Sequence, residues 1–240
     1  MHIEGSVALV TGANRGLGKT FVDELLAAGA AKVYAAGRRP DEIDDRGDDR
    51  VVPLPLDLSD PASIASAAAR ATDVTLLVNN AGINTFTPIL GDEAEIRREF
   101  ETNVFGTLAV SRAFAPVLGG NGGGALVTIL SSLSWFVTPD SGGYAAAKAA
   151  LWSVTNALRL ELLEQRTNVV AVHCGAIATD MASATARNLI SPQDVAKLTL
   201  EGVEADAYEV LTDELSRRVR RLLAEPVEAM YRALQGRSAT

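Results

Sequence analysis

Apolar residues along this chain fall into short continuous runs, separated by longer stretches in which they recur with helical spacing. "SVALVTG", "KVYAAG", "VVPLPLD", "VTLLVNNAG", "ALVTILSS" and "NVVAVHCG" read as strands. Between them lie helical stretches. "GKTFVDELLAAGA" is closed by Gly29, and "DPASIASAAARA" offers Asp60 as N-cap with Pro61 behind it. Residues 92–118 predict two helical stretches meeting near Asn103–Gly106. The long stretch "GGYAAAKAALWSVTNALRLELL" predicts one helix, and a helix near Ser191–Gly202 and a short strand "AYEVLT" complete the order. Strands that are apolar at successive positions are covered on both faces. With right-handed crossovers the fold class is α/β, a doubly wound parallel sheet.

Composition narrows this picture. At 240 residues, with 48% hydrophobic and 22% charged residues, the chain suits one folded domain over 1–240, without repeats or a linker. A net charge of −8 argues against a nucleic-acid partner. No apolar run approaches the ~18 residues that would cross a bilayer. The opening "MHIEGSVALVTG" has no leader pattern, and Cys174 is the only cysteine. A cytoplasmic location is the expectation, with no intrachain disulfide. The acidic run "DEIDDRGDDR" lacks calcium-loop spacing and reads as an exposed loop, so no metal is expected.

The candidate chemistry starts with "YAAAK". Tyr144 and Lys148 stand four apart, which places them on one helix face. An ammonium beside a phenol favours the phenolate, but bringing a pKa near 10 to neutrality needs roughly 4 kcal/mol, more than one solvated charge supplies. A second positive charge is required. The first strand ends in Thr11, Gly12, Ala13, Asn14, Arg15, Gly16, Leu17 and Gly18, directly before a helix. Such glycines let backbone approach a pyrophosphate at a helix N-terminus. A bound oxidised nicotinamide would supply the missing cation.

Taken in order, "TGANRGLG", "NNAG" (Asn79 to Gly82), Asn103, Ser131 and "YAAAK" resemble the NAD(P)-dependent short-chain dehydrogenase/reductase family, from about Ile3 to Leu211. The resemblance implies a single Rossmann-fold domain and hydride transfer between a carbonyl and an alcohol. It implies that Tyr144 is the catalytic acid/base, that Lys148 lowers its pKa and binds the nicotinamide ribose, and that Ser131 hydrogen-bonds the substrate oxygen. Asn103 would kink its helix and hold a relay water. Around the cofactor it implies Gly12, Asn14, Arg15, Gly16, Leu17 and Gly18 at the phosphates. Asp57 would accept from the adenine amino group with Leu58 beside it, and Asn79 would brace the sheet next to Ala81 and Gly82. Gly175, Ile177 and Thr179 would lie on the nicotinamide side, Thr179 bonding the carboxamide. Ser131 is chosen over Ser132 because it lies 13 residues before Tyr144, the family's spacing. Cys174 departs from the family, which usually has Pro there.

Coenzyme choice should be read at the end of the second strand, where an acidic residue would bind a ribose 2′-hydroxyl and repel a 2′-phosphate. This chain has Gly37 there, followed by Arg38 and Arg39, with Arg15 as a third cation. NADP(H) is expected ahead of NAD(H). The expected partner is a small carbonyl or alcohol, with reduction of the carbonyl to the alcohol as the physiological direction. Trp135, Phe136, Val137 and Phe86 are candidate pocket walls or core, and Met181 to Ile190 a substrate lid. His173 and Cys174, as strand neighbours, should point apart and form no dyad. Leu151, Val154, Leu158 and Leu162 form an apolar stripe expected to build a homodimer or homotetramer interface. A non-catalytic nucleotide-sensing regulator and a dehydratase or epimerase on the same scaffold are the alternatives. The intact Ser131, Tyr144, Lys148 and Asn103 argue against the first, and the lack of a larger C-terminal domain against the second.

Overall fold

Seven strands carry the fold: β1 (Val7–Thr11), β2 (Lys32–Gly37), β3 (Val51–Pro55), β4 (Leu76–Asn79), β5 (Gly124–Ile129), β6 (Thr167–His173) and β7 (Glu209–Leu211). In the computed structural model, which describes residues 1–45, 47–182 and 188–234, they form one sheet in the order β3-β2-β1-β4-β5-β6-β7. Every pair is parallel, with Val10 opposite Ala35 on one side and Val78 on the other. The doubly wound sheet is therefore as the sequence predicts. The chain runs outward from β1 to β3 and then returns to β4 beside β1. That reversal leaves a crevice beyond the carboxyl ends of β1 and β4.

Both faces of the sheet are covered. On one face Val10, Val127 and Val172 pack with Phe21 and Leu25 of α1 (Gly16–Ala27) and Leu200 of α6 (Pro192–Glu204). On the other, Leu9, Leu77 and Leu126 meet α2 (Pro61–Arg70), α4 (Thr107–Gly120) and α5 (Gly142–Glu161). Phe21 and Phe114 are wholly buried, and each such ring contributes about 2–3 kcal/mol by leaving water. The α2 start is as expected: Ala62 N donates to the Asp60 carboxylate at 2.9 Å, with Pro61 as first helical residue.

Between α3 (Glu93–Phe100) and α4 the chain makes a π-helical turn, Glu101–Gly106, at the predicted meeting point of two helices. The wide turn rotates the faces of the two helices relative to each other. A methyl group on Gly106 would lie 2.8 Å from the Leu58 side chain, so the turn is pressed against the loop after β3.

The stripe on α5 is a correction. Leu151, Leu158 and Leu162 are buried within the chain, with Val154 packed among them. That face covers the sheet, which is why it is apolar. The outer face of the same helix shows Ser153, Ala157 and Leu160, the last 76% exposed. After β7 come α7 (Glu214–Leu222), capped by Asp213, and α8 (Val227–Leu234), which the sequence pattern did not suggest. No helix among the described residues is long and apolar enough to cross a membrane.

Candidate active site

The glycine loop forms the first wall of the crevice. Gly12 (φ +68°) and Gly16 (φ +52°) adopt backbone that side chains resist. A Cβ on Gly18 would fall 2.0 Å from the Gly12 carbonyl oxygen, so only glycine allows α1 to start this close to β1. The result is a bare-backbone cradle at a helix N-terminus, the donor set an anionic pyrophosphate needs. Thr11 Oγ1 accepts from both Asn80 N and Ala81 N at 3.0 Å, and Asn80 Nδ2 donates to Thr11 O at 2.9 Å. These bonds lock the ends of β1 and β4 together. Asn79 turns the other way: its Nδ2 donates to Ser111 Oγ on α4 at 2.9 Å. It braces sheet to helix, and Asn80 joins strand to strand, a role the sequence did not reveal.

At the end of β2, a Cβ on Gly37 would meet nothing within 4 Å. Arg38 beside it is exposed and has no hydrogen bond or ion pair within the described chain. Arg39 is paired with Glu42, and Arg15 Nη1 lies 3.9 Å from Asp180 Oδ2. All three arginines are exposed, and Arg38 alone has no ion pair among the described residues. Ser59 donates to Asp57 Oδ1 from its backbone N–H at 2.9 Å and its hydroxyl at 2.7 Å. Those bonds hold the Asp57 pKa below the usual carboxylate range, with the Arg38 charge adding to them. Its second oxygen remains available as an acceptor.

The reactive groups converge from β4, β5, β6 and α5. Ser131 follows β5, and its Oγ accepts from Leu133 N at 3.1 Å. Tyr144 lies in the first turn of α5. Burial pushes its phenol up, the neighbouring Cys174 and Glu99 push the same way, and a hydrogen bond with Ser131 pulls it down. Lys148, one turn later, is 4% exposed, with Nζ 5.7 Å from the centre of the Tyr144 ring. Burial lowers its pKa to about 8. Its Nζ donates to Ile129 O at 2.7 Å, leaving N–H donors for a further acceptor such as a ribose diol. Without the nicotinamide, then, Tyr144 is held as a phenol. Lys148 alone does not make it a base at neutral pH.

Asn103, wholly buried in the π turn, accepts from Ile83 N and donates to Ile83 O, both at 2.9 Å. A Cβ on Gly82 would come 2.9 Å from Asn103 Oδ1 and 3.8 Å from Lys148 Nζ, so the end of "NNAG" touches both. Past β6, Cys174 Sγ donates to Leu130 O at 3.4 Å, and burial pushes its thiol up to about 12. Buried and hydrogen-bonded, it packs against its neighbours. The loop that usually has Pro is fixed here in another way. Gly175 N donates to Asp213 Oδ2 at 2.5 Å, and Asp213 also caps α7 by accepting from Ser216 N at 2.8 Å. Ile177 pairs with Ile190, and the Thr179 methyl reaches within 3.4 Å of where a Gly16 side chain would stand. Of the predicted lid, residues 183–187 lie outside the described residues.

Trp135 belongs to the core: it stacks on His173 at 3.7 Å between ring centres. It also lines, with Phe136, Val137, Ile89, Leu133 and Tyr231, an open groove of 380 Å³. Among the described residues no cluster of His, Cys, Asp and Glu could hold a metal ion.

The short chain dehydrogenase family profile matches residues 6–189. A solved short chain dehydrogenase from Burkholderia cenocepacia, in complex with NADP, is 39% identical, covers 98% of this chain and 99% of its own, and superposes with a TM-score of 0.93. A 7α-hydroxysteroid dehydrogenase complexed with NADH and 7-oxoglycochenodeoxycholic acid is 26% identical over 88% of this chain and 93% of its own, with a TM-score of 0.80. The NADP-dependent 3-hydroxy acid dehydrogenase of Schizosaccharomyces pombe is 27% identical over 89% of this chain and 93% of its own.

Proposed function

The chain belongs to the short-chain dehydrogenase/reductase family of oxidoreductases, and from that premise we propose that it is an NADP(H)-dependent reductase of a small ketone or aldehyde. The observation that carries the reading is the convergence of Ser131, Tyr144 and Lys148 at the end of a glycine-lined crevice. The nicotinamide would supply the hydride and, when oxidised, a positive charge. Lys148, with N–H donors left over from its bond to Ile129 O, would hold the ribose and keep a positive charge beside the phenol. Ser131 orients the substrate oxygen, and Tyr144 donates its proton to that oxygen as negative charge develops there. The raised phenol pKa suits the reductive direction, because the proton is present before hydride transfer. Asn103 and the Thr11–Asn80 lock hold the crevice walls in place, so little reorganisation is left for the reacting state.

Preference for NADP(H) over NAD(H) is supported by the unpaired Arg38 beside an open Gly37, and by NADP in the 39% identical relative. The active unit is proposed as a homodimer or homotetramer, because α5 leaves its outer face uncovered.

The test is NADPH oxidation with a panel of ketones and aldehydes, run on the wild type and on Tyr144→Phe. Tyr144→Phe should bind NADPH almost normally while turnover falls by about 100-fold or more, since only the transferable proton is lost. A variant that keeps a tenth or more of the rate rules out Tyr144 as the proton donor.

A further inference from the structure

Glu99 is a buried carboxylate to which nothing above assigns a role. It lies in α3 with no exposed surface, yet the sequence around it, "EIRREFE", reads as a solvated charged helix. Its Oε1 accepts from Thr85 N at 2.7 Å and from Thr85 Oγ1 at 2.9 Å. Thr85 Oγ1 is 2.8 Å from Thr87 Oγ1, and Gly143 N donates to Thr87 O at 3.3 Å. The chain of contacts thus runs from α3, through the loop after "NNAG", to the residue preceding Tyr144.

Two further observations sharpen this. Glu99 and Asn103 stand four apart and grip alternate residues of one extended segment, Asn103 at Ile83 and Glu99 at Thr85. The second carboxylate oxygen has no hydrogen-bond partner although it is buried, a costly state unless that position is needed. It lies 2.4 Å from where a Gly143 side chain would stand, so the second glycine of "GGY" exists to admit it.

We propose that Glu99 is a positioning residue for Tyr144: it fixes the first turn of α5 against the loop that walls the crevice, and places a negative charge beside the proton donor. The groups facing the phenol are Lys148 on its own helix, Ser131 after β5, Cys174 after β6 and Glu99 from α3. Of these, Cys174 and Glu99 raise the phenol's pKa, and the hydrogen bond with Ser131 lowers it. The carboxylate thereby keeps Tyr144 protonated to higher pH, the state that a reductase uses. This rests on the reading of Tyr144 as proton donor.

The test compares Glu99→Gln and Glu99→Ala in the full chain with NADPH and any carbonyl it reduces. Glu99→Gln keeps an acceptor for Thr85, so its melting temperature and NADPH affinity should match the wild type. In reduction the rate falls as pH rises through the phenol pKa. Removing a negative neighbour lowers that pKa, so the alkaline limb of kcat should move to lower pH by about half a unit or more. Glu99→Ala frees the loop, and kcat should drop about 10-fold while NADPH affinity changes less than about 2-fold. At acid pH, Gln should restore kcat to within about 3-fold of wild type. An unmoved alkaline limb in Glu99→Gln overturns the proposal, as does an Ala variant with wild-type kcat. An active Tyr144→Phe enzyme would instead sink the reading beneath it, which separates the two failures.

Discussion

Coenzyme choice is decided at single residues. Arg38 is exposed and has no ion pair among the described residues, while Arg39 and Arg15 stand beside Glu42 and Asp180. Both pairs are solvent-exposed and exchange readily with a bound anion, so Arg38 is the sharpest single test of the three. A charged hydrogen bond from Arg38 to a 2′-phosphate contributes about 1.5–3 kcal/mol, or roughly 10- to 150-fold in affinity. Gly37 has open space around it, so Asp fits there without strain on its neighbours. The double variant Gly37→Asp with Arg38→Ala should repel the phosphate, offer the bare ribose an acceptor, and reverse preference from NADPH to NADH. The measurement is the ratio of kcat/KM for the two coenzymes at one ionic strength, because salt screens phosphate contacts. A ratio that does not move would mean that Arg38 is merely solvated.

Among the elements, α5 shows most clearly what sequence periodicity can and cannot resolve. Its polar pair Tyr144 and Lys148 was legible because four-residue spacing on an alanine background leaves few other uses for a phenol and an ammonium. Its apolar stripe was legible as a stripe, but a periodic pattern does not say what covers it. Leu151, Leu158 and Leu162 turned out to cover the sheet. If copies of the chain do associate through α5, the contact must use the outer face, where small Ser153 and Ala157 allow close approach and Leu160 stands 76% exposed. Leu160→Glu should then give a monomer by light scattering while leaving the melting of the single chain almost unchanged. An undiminished mass would place the interface elsewhere, and a wild type that is already monomeric would remove it. Glu99 was illegible for the opposite reason. Surrounded by Arg97, Arg98 and Glu101, it reads as one more surface charge, and only the rotation of α3 in the structure buries it.

For the whole molecule, the doubly wound parallel sheet was legible in the sequence, because continuous apolar strands alternating with helices admit few arrangements. The long-range ties did not, since Thr11 with Asn80 and Gly175 with Asp213 have no local signature. One buried group also links overall stability to pH. His173 is fully buried against Trp135, with Nδ1 3.2 Å from the Ser131 carbonyl oxygen. Burial lowers its pKa to about 4, from an ordinary 6.5, with Arg220 and Lys148 adding to it against the Ser131 carbonyl. The folded state prefers the neutral ring, so its contribution is complete above the unfolded value of 6.5 and is lost as pH falls towards 4. The amount is about 3 kcal/mol. His173→Phe keeps a ring on Trp135 but cannot titrate. Urea midpoints between pH 7 and pH 4.5 should fall less steeply in that variant than in the wild type. Parallel slopes would show that the imidazole is not the acid-sensitive group.

The π turn at Glu101–Gly106 has a consequence for descent. A helix advances about 100° per residue, so removing one residue there would restore a regular helix and swing everything before it by that angle. Glu99 and Asn103 would leave the segment at Ile83 and Thr85, or Phe114 would leave the sheet. No point substitution nearby repairs such a swing. Lineages of this protein should accept insertions and deletions in surface loops, while the number of residues between Glu99 and Phe114 stays fixed even where their identities drift.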